Sequence, residues 1–175
     1  MTEPVSTEVL ATAAGTWQLD PTDTTIEFHT KAMWGLTKVH GTFRAVSGRG
    51  VVAEPGDLSG ELVVDATSVD TKIKKRDDHL RSADFFDVSK YPTFTFTASE
   101  VTPSADGKLT IKGTLLIKDQ SHPIELVGTT TSPSSDRVIL SAAATIDRSQ
   151  WGITWKKMGA GLVNQVVVVA QFVRS

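Results

Sequence analysis

The chain contains no cysteine among its 175 residues. Disulfide cross-links, thiol nucleophiles and metal centres held by cysteine are therefore excluded. The net charge is only −2, from 18 basic and 20 acidic residues, so the clustered basic excess typical of nucleic-acid-binding proteins is missing. A chain of this length can bury about 70% of its unfolded surface without cross-links, which predicts one self-sufficient domain.

Long apolar runs are also absent. No segment approaches the ~20 apolar residues of a transmembrane helix. The N-terminal segment lacks a basic region, carries Glu3 and Glu8, and has its apolar residues interrupted by Thr12, which is unlike a secretion signal. We therefore predict a flexible arm at residues 1–14, a folded domain at residues 15–175, and a cytoplasmic location.

Short motifs for metal, phosphate or acyl-transfer chemistry are missing as well. No two of His29, His40, His79 and His122 are spaced as HxH or HxxxH, and no HExxH occurs, so no metal site is predicted. The sequence also has neither a GxSxG nucleophile motif nor a GxxxxGK[ST] phosphate loop.

What is present is mostly strand-forming sequence. Stretches such as "KLTIKGTLLIKD" and "RVILSAAATID" alternate apolar and polar residues, as half-buried strands do. Turn-like segments such as "PSADG" and "DQSHP" separate them. Eight or nine strands joined by short hairpins predict an up-and-down barrel or a sandwich. Several small residues lie on the predicted strand faces, namely Gly113, Gly128, Ala142 and Ala144. In a barrel they would leave room for a cavity, whereas in a packed sandwich they would face larger residues of the opposite sheet.

One segment, residues 71–89, breaks the strand pattern and predicts a short helical insertion. Ile73 and Leu80 are seven residues apart and would share one helix face. Asp77 and Arg81 have the i,i+4 spacing of a stabilising ion pair.

The charged residues of this insertion have two interpretations. Asp77 or Asp78 could act with His79 in general acid–base catalysis if the groups converge in a cleft. More simply, they cap helical turns and form surface ion pairs. The basic residues within Lys72–Arg76 would meet an anionic head group, such as a diphosphate, if a pocket opens beside them.

Five motifs occur in order along the chain. They are "WQLDPTDTTIEF" from Trp17, "VHGTF" from Val39, "RDDHLRSADFFDVSKYPTFTF" from Arg76, "GTLLIKDQSHPIEL" from Gly113 and "IDRSQWGI" from Ile146. Together they resemble the YceI-like family of bacterial polyisoprenoid-binding proteins. The resemblance covers about residues 16–173.

The resemblance implies a lipocalin-like, extended antiparallel β-barrel of about eight strands with the helical insertion near residues 71–89. It implies a non-enzymatic protein that binds, sequesters or transports a long-chain polyisoprenoid or similar amphiphilic lipid, and no other cofactor. Candidate tunnel residues are Phe28, Trp34, Phe43, Phe94, Phe96, Leu115, Leu140, Ala142, Val167 and Val169. Candidates for the mouth, where a quinone or diphosphate head would lie, are Arg76, His79, Lys156 and Lys157.

Two other functions stay open on the sequence. The first is an enzyme acting on a prenyl lipid through Asp77, Asp78 and His79. The second is a packed β-domain for protein interaction or stress protection, without a cavity. A homodimer is also suggested, because strand edges and the apolar outer face of the last strand need cover.

Overall fold

The structure is a computed structural model that describes residues 14–54, 57–104 and 106–175. The arm expected at residues 1–14 lies outside this part of the chain, apart from Ala14. The strands are β1 (Gly15–Leu19), β2 (Thr25–Ala32), β3 (Thr37–Glu54), β4 (Asp57–Asp70), β5 (Thr93–Pro103), β6 (Leu109–Ile117), β7 (Gln120–Ser134), β8 (Arg137–Asp147) and β9 (Val163–Arg174). A single α-helix within these ranges, α1, spans Lys74–Arg81, and short 3₁₀ turns lie at Pro21–Asp23, Met33–Gly35, Arg148–Trp151 and Lys157–Gly159.

The sheet closes into a barrel with eight positions around its wall. From β3 to β9 each strand pairs antiparallel with the next, and β2 joins β9 to β3. Strand β1 also pairs with β3 and β9, but farther along them, so β1 and β2 occupy one position end to end. The predicted lipocalin-like barrel is therefore confirmed.

A short turn between β1 and β2 makes this shared position work. Asp20 accepts hydrogen bonds from the backbone N of Thr22 at 3.1 Å and from its hydroxyl at 2.7 Å. Pro21 begins the 3₁₀ turn, where its missing N–H is not needed. The Thr24 hydroxyl then donates to the Asp20 carbonyl at 2.8 Å, and the chain re-enters the wall as β2. The motif "DPTDT" thus offsets two strands without opening the barrel.

Barrel closure bears on the homodimer expected from exposed strand edges. Every strand in the described ranges has a neighbour on both sides. The homodimer stays a prediction, but unpaired strand edges no longer support it.

Helix α1 is fixed to the end of β4 by a buried carboxylate. The Asp77 side chain is buried and accepts from the Thr71 backbone N at 2.8 Å and from its hydroxyl at 2.5 Å. Arg76 donates to the hydroxyl and carbonyl oxygens of the same Thr71, at 2.7 and 2.9 Å.

Within the described ranges, no helix is long and apolar enough to cross a lipid bilayer.

The predicted ion pair between Asp77 and Arg81 is wrong. Arg81 instead lies 3.2 Å from Asp78 and donates to the carbonyl oxygens of Thr67 and Val69, both at 2.9 Å. Burial of Asp77 against Thr71 removes it from the exposed helix face on which an i,i+4 pair would form.

The small residues of the wall have two different roles. Ala142 and Ala144 line internal space, as a cavity requires. Gly113 instead accommodates a large neighbour, because a β-carbon there would overlap the Phe96 ring and the Thr97 carbonyl oxygen. Both of the arrangements left open by the sequence therefore occur, at different positions.

The close approach at Gly113 predicts a position-specific cost. Gly113→Ala should lower the free energy of unfolding by about 1–3 kcal/mol, the usual penalty for overpacking, measured by equilibrium urea unfolding. Gly50→Ala is the matched control, because its β-carbon would meet nothing nearer than the Ser59 carbonyl oxygen at 4.0 Å. Equal stability of the two variants would contradict the assignment of Gly113 as a packing site.

Candidate functional site

The barrel contains two neighbouring spaces. The outer chamber, of about 740 Å³, lies at the end that carries α1 and the Lys157–Gly159 turn. The inner chamber, of about 150 Å³, lies at the end that carries Trp17 and Val138. Leu62, Phe96 and Leu126 line both chambers and mark the place where they meet.

The outer chamber has an aromatic wall. The rings of Phe28 and Phe43 lie 5.4 Å apart between centroids, and Phe43 and Phe94 lie 5.3 Å apart in an edge-to-face arrangement. Phe86, from the segment after α1, packs edge-on against both Phe43 and Phe94, at 5.8 and 5.0 Å. These rings give the chamber a surface that favours apolar groups.

Seven of the ten predicted tunnel residues line the two chambers. Phe28, Phe43, Phe94 and Leu115 line the outer chamber, Leu140 and Ala142 line the inner one, and Phe96 lines both. Their contact with a ligand stays a prediction.

Val167 and Val169 were expected to point inward and do not line either chamber. Their neighbours Val166 and Val168 do so instead. The run "VVVV" is apolar at every position, so its alternation carries no information, and an error of one residue exchanges the two faces of the strand.

Trp34 was also expected in the tunnel and is 78% exposed. The turn Met33–Gly35 has positive φ at both Met33 and Trp34, 50° and 57°, which non-glycine residues adopt infrequently. Met33 lines the outer chamber, while Trp34 lies outside the lining, close to Gly159.

The mouth of the outer chamber is cationic. Among the described residues that line it there is no aspartate or glutamate, whereas five cations do so: Lys31, Lys75, Arg76, Arg148 and Lys157. Of the predicted head-group candidates, Arg76, His79 and Lys157 are part of this lining. Lys156 is not part of it.

Arg148 is the lining residue that sequence reasoning missed. Its side chain is 8% exposed. It donates to the carbonyl oxygens of Gly161 at 3.0 Å and Ile153 at 2.8 Å, and its charged carbon lies 5.2 Å from the centre of the Phe85 ring. Its second terminal nitrogen, Nη2, is buried without a hydrogen-bond partner, and no carboxylate among the described residues forms an ion pair with it.

The electrostatics of Arg148 follow from this burial. Burial lowers the pKa of Arg148, and the neighbouring Asp147 opposes that shift, but a guanidinium stays charged in a protein. Asp147 itself accepts from the Ser149 hydroxyl at 2.6 Å and backbone N at 3.0 Å, and these hydrogen bonds lower the pKa of Asp147. Asp147 therefore caps the 3₁₀ turn that begins at Arg148 and fixes where this cation enters the chamber wall.

The three residues proposed for catalysis are not brought together. Asp77 is buried against Thr71, and Asp78 is exposed and pairs with Lys74 at 2.8 Å. Only His79 lines the chamber. Its Nε2 lies 2.9 Å from Asp84.

A closed antiparallel barrel with an apolar cavity and a charged mouth is the architecture of lipocalin-like proteins. The sequence model of the protein family described as the YceI-like domain matches residues 17–173 of this chain. The chain therefore belongs to the YceI-like family.

Curated relatives are found in several bacteria. A UPF0312 protein of Vibrio cholerae is 33% identical over 134 residues, which cover 72% of this chain and 69% of the relative. Protein YceI of Escherichia coli O157:H7 is 36% identical over 94 residues, which cover 53% of this chain and 49% of the relative.

Solved structures share the fold at low sequence identity. BcnA of Burkholderia cenocepacia superimposes with a TM-score of 0.76 at 21% identity, covering 87% of this chain and 98% of BcnA. A polyisoprenoid binding domain from Saccharophagus degradans gives a TM-score of 0.73 at 16% identity, covering 91% of this chain and 98% of that domain.

Proposed function

We propose that the protein binds a long-chain polyisoprenoid or similar amphiphilic lipid inside its barrel, for sequestration or transport, without chemical conversion. The observation that carries the proposal is the apolar outer chamber of about 740 Å³, which shares three lining residues with the inner chamber. Ligand pockets of about 300–1,000 Å³ are typical for small molecules. Two neighbouring apolar compartments suit a chain that extends from one into the other better than a compact ligand.

The energetics of such binding are those of hydrocarbon transfer. Each CH₂-sized group removed from water contributes about 0.8 kcal/mol, so a long chain binds tightly without specific polar contacts. The structural similarity to the polyisoprenoid binding domain from S. degradans supports the choice of a prenyl chain among the apolar chains that would fit. The function needs no catalytic group.

The cations of the mouth support an amphiphile whose head group is anionic. Five cations and no described carboxylate line the outer chamber, so a neutral ligand would leave this positive potential uncompensated. Arg148 strengthens the argument, since a buried guanidinium with a free N–H is costly until an oxygen acceptor reaches it. A phosphate or diphosphate on the prenyl chain would supply that acceptor.

Placing a ring in the outer chamber should weaken lipid binding. Ala144 is 7% exposed and lines that chamber, so the Ala144→Phe ring would displace part of the chain. Loss of two CH₂-sized contacts lowers affinity about tenfold, and we expect at least that loss for geranylgeraniol in a competition assay with a fluorescent prenyl probe.

The control for this variant lies next to it on β8. Ala143 is exposed, so Ala143→Phe adds the same ring to the outer surface and should leave binding unchanged. Mass spectrometry of an organic extract of the wild-type protein provides a second measurement. A wild-type protein that neither carries a prenyl lipid nor takes one up would overturn the proposal.

Filling the inner chamber should change the preferred chain length. Ala142 is 3% exposed and lines only that chamber. Ala142→Phe should weaken binding of the long prenol solanesol while sparing the short prenol farnesol, because the short chain fits in the outer chamber. If solanesol keeps its wild-type affinity in this variant, the chain does not extend into the inner chamber. Equal loss of affinity for both prenols, while Ala143→Phe binds both, would contradict the expected dependence on chain length.

Neutralising Arg148 should remove selectivity for the head group. Hydrogen bonds to a charged group contribute about 1.5–3 kcal/mol. Arg148→Gln should therefore lower the affinity for geranylgeranyl diphosphate by about tenfold or more. Geranylgeraniol, which has the same chain without the charge, should bind as it does to the wild type.

A matched lysine pair tests the same point without touching a buried residue. Lys157 lines the mouth and Lys156 does not. Lys157→Gln should therefore weaken binding of geranylgeranyl diphosphate at low salt, whereas Lys156→Gln should leave that binding unchanged. Equal loss of alcohol and diphosphate in Arg148→Gln would make Arg148 a structural clamp. That outcome would contradict the proposal of an anionic head group but not the proposal that the barrel binds a prenyl chain.

A further inference from the structure

A second candidate site lies on the outer surface of the barrel, away from both chambers. Glu27 and His29 on β2 and His40 on β3 form this outer cluster. Residues on a strand alternate between its two faces, and Phe28 and Val39 line the outer chamber. The three polar neighbours therefore project outward.

Strand register brings the two histidines together. His29 and His40 are directly opposite each other in the β2–β3 pair, and their ring centroids lie 4.5 Å apart. The Glu27 carboxylate lies two residues before His29 on the same face. Its Oε2 lies 3.9 Å from Nε2 of His29 and 3.6 Å from Nε2 of His40.

These separations are close to those of ligands around one metal ion. One ligand atom from each of the three residues lies within 4.8 Å of the others. Two ligand atoms on a tetrahedral zinc ion lie about 3.3 Å apart, given metal–ligand distances of about 2.0–2.2 Å. The His–Glu separations exceed this by only a few tenths of an ångström, which rotation of exposed side chains can close.

The chemistry and accessibility of the cluster also suit a metal. Two imidazoles and one carboxylate are a donor set found with zinc and other divalent first-row transition metals. All three side chains are 42–52% exposed, so an ion reaches them from solvent. We propose that Glu27, His29 and His40 bind a divalent transition-metal ion such as Zn²⁺, with water completing its coordination.

The surroundings set the expected affinity. The next pair on the same face of the two strands is Lys31 and Lys38, and these cations oppose binding of a further positive charge. The cluster also offers three exposed protein ligands, whereas a closed structural zinc site has four, so its affinity for the ion should be lower. We therefore expect micromolar rather than nanomolar binding.

Without a metal, the same contacts have a simpler explanation. Two neighbouring imidazoles and a glutamate on an exposed surface form contacts of small energetic value. The two explanations differ in a measurable way, because only a coordination site saturates with one ion per chain and depends on all three residues together.

The test is isothermal titration calorimetry of the full chain with zinc chloride. The protein should carry no histidine tag and be stripped with a chelator beforehand. The wild type should bind one Zn²⁺ per chain, and His40→Ala and His29→Ala should each weaken binding by about tenfold or more, since even residues behind the ligands change affinity by 10–100-fold. Glu27→Gln should also weaken it.

His122→Ala is the control for a histidine outside the cluster. His122 lies beside Gln120 and packs edge-on against Trp151, so its removal should leave zinc binding unchanged. Absence of saturable binding below millimolar zinc, or unchanged binding in His40→Ala, would overturn the site. Geranylgeraniol binding by His40→Ala should equal that of the wild type, because His40 faces away from the chamber, and its loss would indicate misfolding.

If His40→Ala misfolds, Glu27→Gln decides the question, because it preserves the shape of the side chain and removes only the charge. Weaker zinc binding with unchanged geranylgeraniol binding in Glu27→Gln supports the site. Unchanged zinc binding in that variant rejects a role for the carboxylate and with it the three-ligand site.

Discussion

The antiparallel pairing of β2 with β9 is the interaction on which the rest of the structure depends, because it closes the sheet. Thr25–His29 pairs with the β9 residues from Val169 back to Gln165, and the Asp20 turn sets where β2 begins. Since side chains alternate across a strand, this register decides that Phe28 enters the chamber while His29 faces solvent. A shift of one residue would exchange the two. The apolar cavity and the outer cluster therefore depend on one register.

Closure alone does not leave an empty interior, because an eight-position barrel can be filled by its own side chains. Space remains because Ala142 and Ala144 occupy inward positions on β8, next to the larger Val166 and Val168 of β9. An unfilled apolar space forfeits dispersion contacts along its lining. A bound chain would restore them, so the same feature that weakens the empty barrel favours the occupied one.

Much of this arrangement follows from the sequence, and the exceptions have physical causes. Alternation in "KLTIKGTLLIKD" and the five family motifs predict the barrel and most of its lining. The valine run of β9 has no alternation, which explains the error at Val167 and Val169. Burial of Arg148 has no signature in composition, since it arises from the carbonyl oxygens of a segment that returns over the chamber. The proximity of His29 and His40 depends on strand pairing, which spacing along the chain does not reveal.

Arg148 shows how the apolar and charged parts of the cavity depend on each other. Two of its nitrogens satisfy carbonyl oxygens of the Ile153–Gly161 segment, so the residue helps to form the mouth. The same burial that makes those hydrogen bonds strong leaves Nη2 without an acceptor. No carboxylate among the described residues lies within ion-pair distance of Arg148. Replacing the guanidinium by an apolar group would remove this cost but also the hold on the segment. Under the proposed function, an anionic head group would resolve the conflict, because it would supply the missing acceptor while the prenyl chain occupies the chamber.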